Sequence, residues 1–530
     1  MVKKNFLMTA PLLMASFCSA QEKPNVVLIM VDDMGYSDIG CYGGEILTPN
    51  IDALASKGVR FTQFYNTSRS CPARASLMTG LYQHQAGIGQ MSEDPFKNPG
   101  QKSPNDWGVP GYKGFLNRNC VTIAEVLKEG GYHTYMAGKW HLGMHGEKKW
   151  PLQRGFERFY GILAGACSYL RPSGGRGLTL DNTKLPEPEA PYYTTDAFTD
   201  YAIRFVDEQK DDKPFFLYLA FNAPHWPLQA KEEDIQKFTK IYREKGWDEI
   251  REARRKRMAK LGIIDSNTEF AEWENRKWDE LTEKEKDEVA YRMAVYAAQV
   301  HCVDYNVGKL LDYLKKNRKL DNTLVMFLSD NGACAEPYAE LGGGKVSEIN
   351  NPACSVFPSY GRAWAQVSNT PFRKYKCRSY EGGISTPLIV SWKSNLKNKK
   401  GEWCRVPGYL PDIMPTILEA TGAAYPETYH GGNKIYPLVG SSLFPAIQKK
   451  ADSIHEYMYW EHQNNRAIRW GNWKAIRDEK GKEWELYDVV KDRTERNNLA
   501  EQHPEVLTKL VAEWEKWANS NFVLPKHPKK

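Results

Sequence analysis

Asn25-Val26-Val27-Leu28-Ile29-Met30-Val31-Asp32-Asp33 is the stretch that decides the fold class. It is a continuous apolar, partly β-branched run that stops abruptly at two aspartates. A strand buried on both faces of a parallel sheet reads in this way, and ligands collect beyond the carboxyl ends of such strands. Thr323 to Leu328 repeats the pattern and ends in Ser329-Asp330-Asn331-Gly332. Between the two runs lie an amphipathic helix, Thr122 to Glu129, and shorter strand runs at Thr134–Met136 and Phe215–Ala220. This alternation predicts a large α/β sandwich around a mixed, mostly parallel sheet.

Composition changes after Ser442-Leu443. Short strand-like runs at Tyr457–His462, Asn465–Trp470, Trp473–Arg477 and Glu483–Tyr487 precede an amphipathic helix from Pro504 to Ala518. That order predicts a small C-terminal α+β domain, an antiparallel sheet with one packed helix. The expected division is a catalytic domain over 21–445 and a smaller one over 446–530. Residues from about 231 to 290 are densely charged, with Trp and Phe interspersed, and read as a helical insertion presenting a solvated face. Lys393 to Gly401 reads as an exposed loop, and no internal repeat is visible.

The 530 residues suit one large domain plus a smaller one, and 41% hydrophobic content is enough for a substantial core. Met1 to Ala20 reads as a signal peptide: Lys3 and Lys4, an apolar run from Phe6 to Phe17, then Cys18-Ser19-Ala20. A lipoprotein reading through Cys18 is weaker, because bulky Phe17 precedes it. The expectation is an exported, periplasmic protein with no stable membrane anchor. Of ten cysteines, nine would remain after cleavage, an odd number with no zinc-type CxxC pairs. The formal charge of +7 suits an anionic substrate, and the intermixing of acidic and basic residues gives no reason to expect nucleic acid.

The chemistry gathers in a few short segments. Ser70-Cys71-Pro72-Ala73-Arg74-Ala75-Ser76-Leu77-Met78-Thr79-Gly80 places Pro72 in the first turn of a helix, with Ser70 just before it. Ser70 would then lie beside free backbone N–H groups, and Arg74 offers a planar fork to an anion. An ordinary N-capping serine explains the same residues. Asp32, Asp33, Asp330 and Asn331 supply only oxygen ligands, the preference of a hard cation such as Ca²⁺. A pair of carboxylates after a strand can instead cap a helix, and two such pairs favour the metal. Lys139 and His141, in Ala137-Gly138-Lys139-Trp140-His141, would point to one side of an extended segment. His225 stands between Pro224 and Pro227, and Lys376 precedes Glu381-Gly382-Gly383 by five residues. Each alone is more often structural.

These segments, in this order, resemble the sulfatase family of the alkaline phosphatase superfamily. The first run matches its signature (Cys or Ser)-x-Pro-x-Arg-x-x-x-x-Thr-Gly, and the likeness continues through Thr48-Pro49-Asn50-Ile51-Asp52, Leu486-Tyr487-Asp488 and Glu495-Arg496-Asn497-Asn498-Leu499. The resemblance implies an alkaline-phosphatase-like fold and Ca²⁺ on Asp32, Asp33, Asp330, Asn331 and position 70. It implies that Ser70 is converted to formylglycine (3-oxoalanine), here of the serine type matured by an anaerobic radical enzyme. Arg74, Lys139, His141, His225 and Lys376 fall on the family's catalytic positions. A hydrated aldehyde has a second hydroxyl that lets a covalent sulfate leave, whereas unmodified Ser70 would stall as a sulfate ester. Ser385-Thr386-Pro387 departs from the Arg-Val-Pro of many members and resembles a glycan-directed bacterial subgroup.

The substrate expectation is a sulfated carbohydrate, attacked in an exo manner, with 3-O-sulfated galactose of mucin-type oligosaccharides as the first choice. Arg69 precedes the nucleophile position, and Glu336 lies six residues beyond Asp330, so both are expected at the pocket rim as sugar contacts or as partners in a salt bridge. A phosphomonoesterase or phosphodiesterase of the same superfamily is the nearest rival, and it would favour zinc ligands built with histidine. A non-catalytic sulfoglycan-binding protein is the rival from another class, and an unmatured Ser70 would produce it.

Overall fold

The computed structural model describes residues 22–94, 104–353, 356–396 and 399–527, so the signal-peptide reading of residues 1–20 lies outside the described residues. The large sheet contains β1 (Asn25–Asp32), β2 (Val59–Tyr65), β3 (His133–Lys139), β4 (Arg158–Ile162), β5 (Leu178–Leu180), β6 (Thr183–Lys184), β7 (Phe215–Pro224), β8 (Thr323–Ser329), β9 (Ser385–Ser391), β10 (Glu402–Cys404) and β11 (Gly408–Tyr409). Their order is β10-β2-β9-β8-β1-β7-β3-β4-β5-β6, with β11 also on β2. From β8 to β4 every pairing is parallel, while β9 runs antiparallel to both β8 and β2. The sheet is therefore mixed and mostly parallel.

Side chains alternate across a strand, and β1 uses both faces. Val27, Ile29 and Val31 enter one apolar core, and Val26, Leu28 and Met30 enter the other. The helices Thr194–Asp207, Glu232–Lys260 and Glu283–Lys316 cover the first face; Ser70–Thr79, Ile123–Glu129 and Ile413–Thr421 cover the second. The Ile123–Glu129 helix starts with a reciprocal capping box between Thr122 and Glu125.

The charged stretch after residue 231 is not a solvated face throughout. The Glu232–Lys260 helix bends at Gly246, whose φ is 62° and where an added Cβ would stand 2.2 Å from the Trp278 ring. It buries Ile235, Phe238, Tyr242, Trp247, Ile250 and Met258 together with Arg254. Arg254 is fully buried and answers Asp38 and Glu45, each at 2.7 Å. Its charge is thus internal, because paired guanidinium groups can be buried where unpaired ones cannot.

After a short hairpin, β12 (Thr428–Tyr429) with β13 (Asn433–Lys434), the chain forms a four-stranded antiparallel sheet. Its strands are β14 (Tyr457–His462), β15 (Asn465–Trp470), β16 (Trp473–Arg477) and β17 (Glu485–Asp488). The Pro504–Ser520 helix packs Leu510, Trp514, Trp517 and Ala518 on one face of it. The opposite face packs Met458, Trp460, Ala467 and Ile476 against Tyr65, Tyr380, Ile384 and Tyr409 of the larger body. All eight described cysteines are free and buried. Among the described residues, no helix is long and apolar enough to cross a membrane.

Candidate active site

The topology brings the chemistry-bearing segments to one edge. β8, β1, β7 and β3 run in the same direction, so Asp330-Asn331, Asp32-Asp33, His225 and Lys139 emerge side by side at their carboxyl ends. Two successive antiparallel pairings give β2 that same direction and put the start of β9 at the same edge. Ser70 follows β2, and Lys376 lies in the segment that leads into β9. His141 reaches the site from a turn with φ of 57°, not from the extended segment expected for it.

Ser70 is the first residue of its helix and not its cap. Arg69 occupies the N-cap without a side-chain cap bond, and the Ser70 hydroxyl turns away from the helix. Its Oγ lies 2.8 Å from Asp32 Oδ1 and 3.2 Å from Asn331 Oδ1. The side chain is thus aimed into the acidic cluster and does not cap the helix. Arg74, one turn on and fully buried, donates to Asp330 Oδ2 at 3.0 Å and to the Lys139 carbonyl at 3.0 Å.

The remaining groups interlock around these. Lys139 Nζ pairs with Asp32 Oδ2. Lys376 Nζ stands 2.8 Å from Asp33 and 3.7 Å from Glu336. Asn331 Nδ2 donates to Asp33 Oδ1 at 2.6 Å, and the Asp33 backbone N–H donates to Asp330 Oδ1 at 3.2 Å. His225 Nε2 lies 3.4 Å from Asp33 Oδ2, while its Nδ1–H donates to the Trp226 carbonyl at 2.6 Å. Ligand atoms of Asp32, Asp33 and His225 all lie within 4.8 Å of one another. His141 Nδ1 and Arg74 Nε are buried without a partner.

Burial alone would raise the Asp32 carboxyl, but Lys139, His225, Arg74 and Lys376 hold it well below the usual range. Asp330 goes the other way: burial and the facing Asp32 push it up to about 7, in spite of Arg74 and Lys139. Burial lowers His225 to about 4, and burial with Lys139 and Arg74 beside it holds His141 well below the ordinary imidazole value. Carboxylates that crowd one another this closely suit a bound cation. Asp32, Asp33, Asp330 and Asn331 offer oxygen atoms only, all within 1% of complete burial, which fits a hard divalent ion. Three buried cations already balance the three aspartates, so such an ion would leave positive charge facing the pocket, where a sulfate ester carries its negative charge.

That pocket has a volume of about 230 Å³, and Ser70, Lys139, His141, His225 and Lys376 all line it. Arg69 and Glu336 line it as well, and they are bound to each other, Nη1 to Oε1 at 2.8 Å. Burial opposes the Glu336 charge, but Arg69, Lys376 and His225 bring its carboxyl down to about 2. Glu93, Asp94, Asn105, Arg176 and Trp226 are also among the lining residues and were not identified from the sequence as site residues. The polar run Ser92-Glu93-Asp94, shortly after the signature helix, was the available signal. Glu93 also fixes the loop beyond His141 by accepting from the backbone of Met144 and His145, both at 2.8 Å. At Ser385, which stands where many family members carry arginine, Arg493 reaches in from the C-terminal sheet region and donates to Ser385 Oγ at 2.8 Å.

Comparison with known proteins identifies the family. A family model described as Sulfatase matches residues 24–423, and one described as N-sulphoglucosamine sulphohydrolase, C-terminal, matches residues 373–519. An uncharacterized sulfatase of Schizosaccharomyces pombe is 35% identical over 93% of this chain and 93% of its own. The arylsulfatase of Klebsiella aerogenes is 35% identical over 80% of this chain and 92% of its own. Among solved structures, Ps i-CgsB in complex with k-i-k-neocarrahexaose has a TM-score of 0.69 at 29% identity and covers 94% of both chains.

Proposed function

The chain belongs to the sulfatase family, and from that premise we propose that it removes sulfate from glycans through a formylglycine made from Ser70, with Ca²⁺ on Asp32, Asp33, Asp330, Asn331 and position 70. The observation that carries this reading is the aim of Ser70: its Oγ sits 2.8 Å from Asp32 on the floor of a pocket lined by Lys139, His141, His225 and Lys376. When present, formylglycine supplies the hydrate hydroxyl that attacks sulfur, and calcium supplies positive charge to the sulfate oxygens.

The chain's own residues do the rest. Lys139, His141, Lys376 and Arg74 offset the charge that builds up on the sulfate, directly or by holding the carboxylates in place. His225 gives its Nδ1–H to the Trp226 carbonyl, which leaves Nε2 to hold the proton for the departing sugar oxygen. Because burial disfavours the imidazolium, arrival of an anionic ester is what favours that proton. The Arg69–Glu336 pair presents a donor and an acceptor at the rim, suited to sugar hydroxyls. A site that bonds a hydroxyl in this way discriminates strongly against an epimer that leaves it unpaired.

The oligosaccharide bound to Ps i-CgsB supports a glycan target for this chain too. We assign exo action on 3-O-sulfated galactose of mucin-type oligosaccharides as the first substrate to try, export to a periplasm from the N-terminal Met1–Ala20 segment, and maturation by an anaerobic radical enzyme. Turnover of a panel of defined monosulfated sugars by host-produced protein, with Glu336→Ala alongside, tests the substrate. Selective loss on one sugar supports the rim contacts, equal loss on all of them makes the pair structural, and hydrolysis of aryl sulfates but no sugar refutes the glycan reading.

A further inference from the structure

We propose that Trp226, backed by Phe357 and flanked by Arg176, is the wall against which the sulfate-bearing sugar ring lies. The proposal rests on the glycan reading above and adds residues that neither the family signature nor the metal cluster contains. Trp226 and Arg176 both line the pocket that holds Ser70. Phe357 joins them from outside it: its ring lies 5.2 Å from Trp226 at an interplanar angle of 31°, and the Arg176 guanidinium stands 5.1 Å over its centroid. Arg176 Nη1 also donates to the Ala166 carbonyl at 3.0 Å, which fixes the guanidinium along the wall.

Position relative to the leaving group makes this wall specific to the sugar. The Trp226 ring lies 4.3 Å from the His225 ring. An ester oxygen within reach of His225 Nε2 therefore carries its sugar across the indole. A pyranose has an apolar C–H face and a rim of hydroxyls, and an amphipathic aromatic side chain meets both requirements. Trp226 lines the pocket and is only half-buried, and its Nε1–H is shielded from solvent with no acceptor. Asp94 and Asn105 also line the pocket and bring carboxylate and amide groups to the side where the hydroxyl rim would lie. Aromatic surface with a few placed polar groups is the usual make-up of such a site.

Two measurements on mature holoenzyme test the idea: KM for a sulfated sugar that the wild type hydrolyses, and Ki for inorganic sulfate, which occupies the sulfate position alone. Trp226→Ala should raise KM about tenfold while the sulfate Ki stays within about twofold, and Trp226→Phe should recover most of the loss. Phe357→Leu, a gentler change, should raise KM by about two- to threefold with the melting temperature retained. An unchanged KM in Trp226→Ala overturns the proposal, as does a parallel rise in KM and sulfate Ki, which would place the tryptophan in the sulfate site. If the wild type hydrolyses aryl sulfates and no sulfated sugar, the glycan reading fails first and this proposal falls with it.

Discussion

Two buried charge clusters lie on either side of one backbone contact, and they differ in what they leave open. In the first, Asp32, Asp33 and Asp330 face Arg74, Lys139 and Lys376 around Ser70, and the cluster floors a pocket. In the second, Lys474 Nζ holds Glu381 at 2.9 Å and Glu495 at 2.7 Å, and Arg493 holds Glu381 at 3.0 Å. Glu495 accepts the Glu381 backbone N–H at 2.8 Å, and Tyr65 donates to Glu381 at 3.1 Å, so this cluster closes on itself. The contact between them is Gly332, next to Asn331, whose N–H donates to Gly383 at 3.1 Å; an added Cβ there would stand 1.9 Å from the Gly382 carbonyl. The closed cluster clamps the turn that backs the open one. The same pairing chemistry is complete in the closed cluster, whereas in the open one His141, whose buried Nδ1 has no partner, lines a cavity.

The contrast is sharpest in substitutions. Ser70→Ala should lower kcat/KM by about 10⁴-fold or more, as loss of a nucleophile does, while leaving thermal stability within about 1 kcal/mol. Lys474→Met should do the reverse. Leaving Glu381 and Glu495 buried without their ammonium should cost about 3–5 kcal/mol in denaturant unfolding, with the activity of the folded fraction reduced only a few-fold. Equal catalytic damage from both substitutions would erase the distinction between the clusters.

The proposed calcium would address only the open cluster. Removing it by chelation should lower stability by about 3 kcal/mol where free calcium had stood near a hundred times its dissociation constant, and Asp330→Ala should abolish that response. Stoichiometric zinc with no calcium on metal analysis would contradict the oxygen-only site.

The closed cluster should carry its own pH signature. Burial and the neighbouring Glu381 raise Glu495 to about 7 from an ordinary value of 4.5, against the pull of Lys474. A raised carboxyl contributes stability that is fully present below the unfolded value and lost as pH rises through the folded one. Stability should therefore decline between about pH 4.5 and 7, by about 1–3 kcal/mol, and Glu495→Gln should flatten that decline. Urea unfolding across that range, with and without the substitution, checks it.

What could be read from the sequence follows the same division. β1 and β8 were legible because strands buried on both faces are continuously apolar, and the aspartates that end them announced the open cluster. β14, β15 and β16 fall within the bounds expected from the sequence, because alternation and short turns mark exposed hairpins. The 34-residue helix Glu283–Lys316 was missed, since its charged first turns read as part of an insertion and hid the buried run from Val289 to Leu314. β5 and β6, three and two residues long, carry too little pattern to register. The closed cluster was invisible because Glu381, Lys474 and Glu495 meet only through tertiary packing, with no local spacing to betray them. The pocket wall was invisible for the same reason: Arg176, Trp226 and Phe357 share no segment.

The claim at the centre of this account is that Ser70 is the reacting position and is chemically matured. Mass spectrometry of the peptide spanning position 70, from host-produced protein that hydrolyses a sulfate ester, tests it directly. Maturation should leave a residue lighter than serine by two hydrogens, in proportion to the active fraction. Full activity with serine intact at position 70 would contradict it.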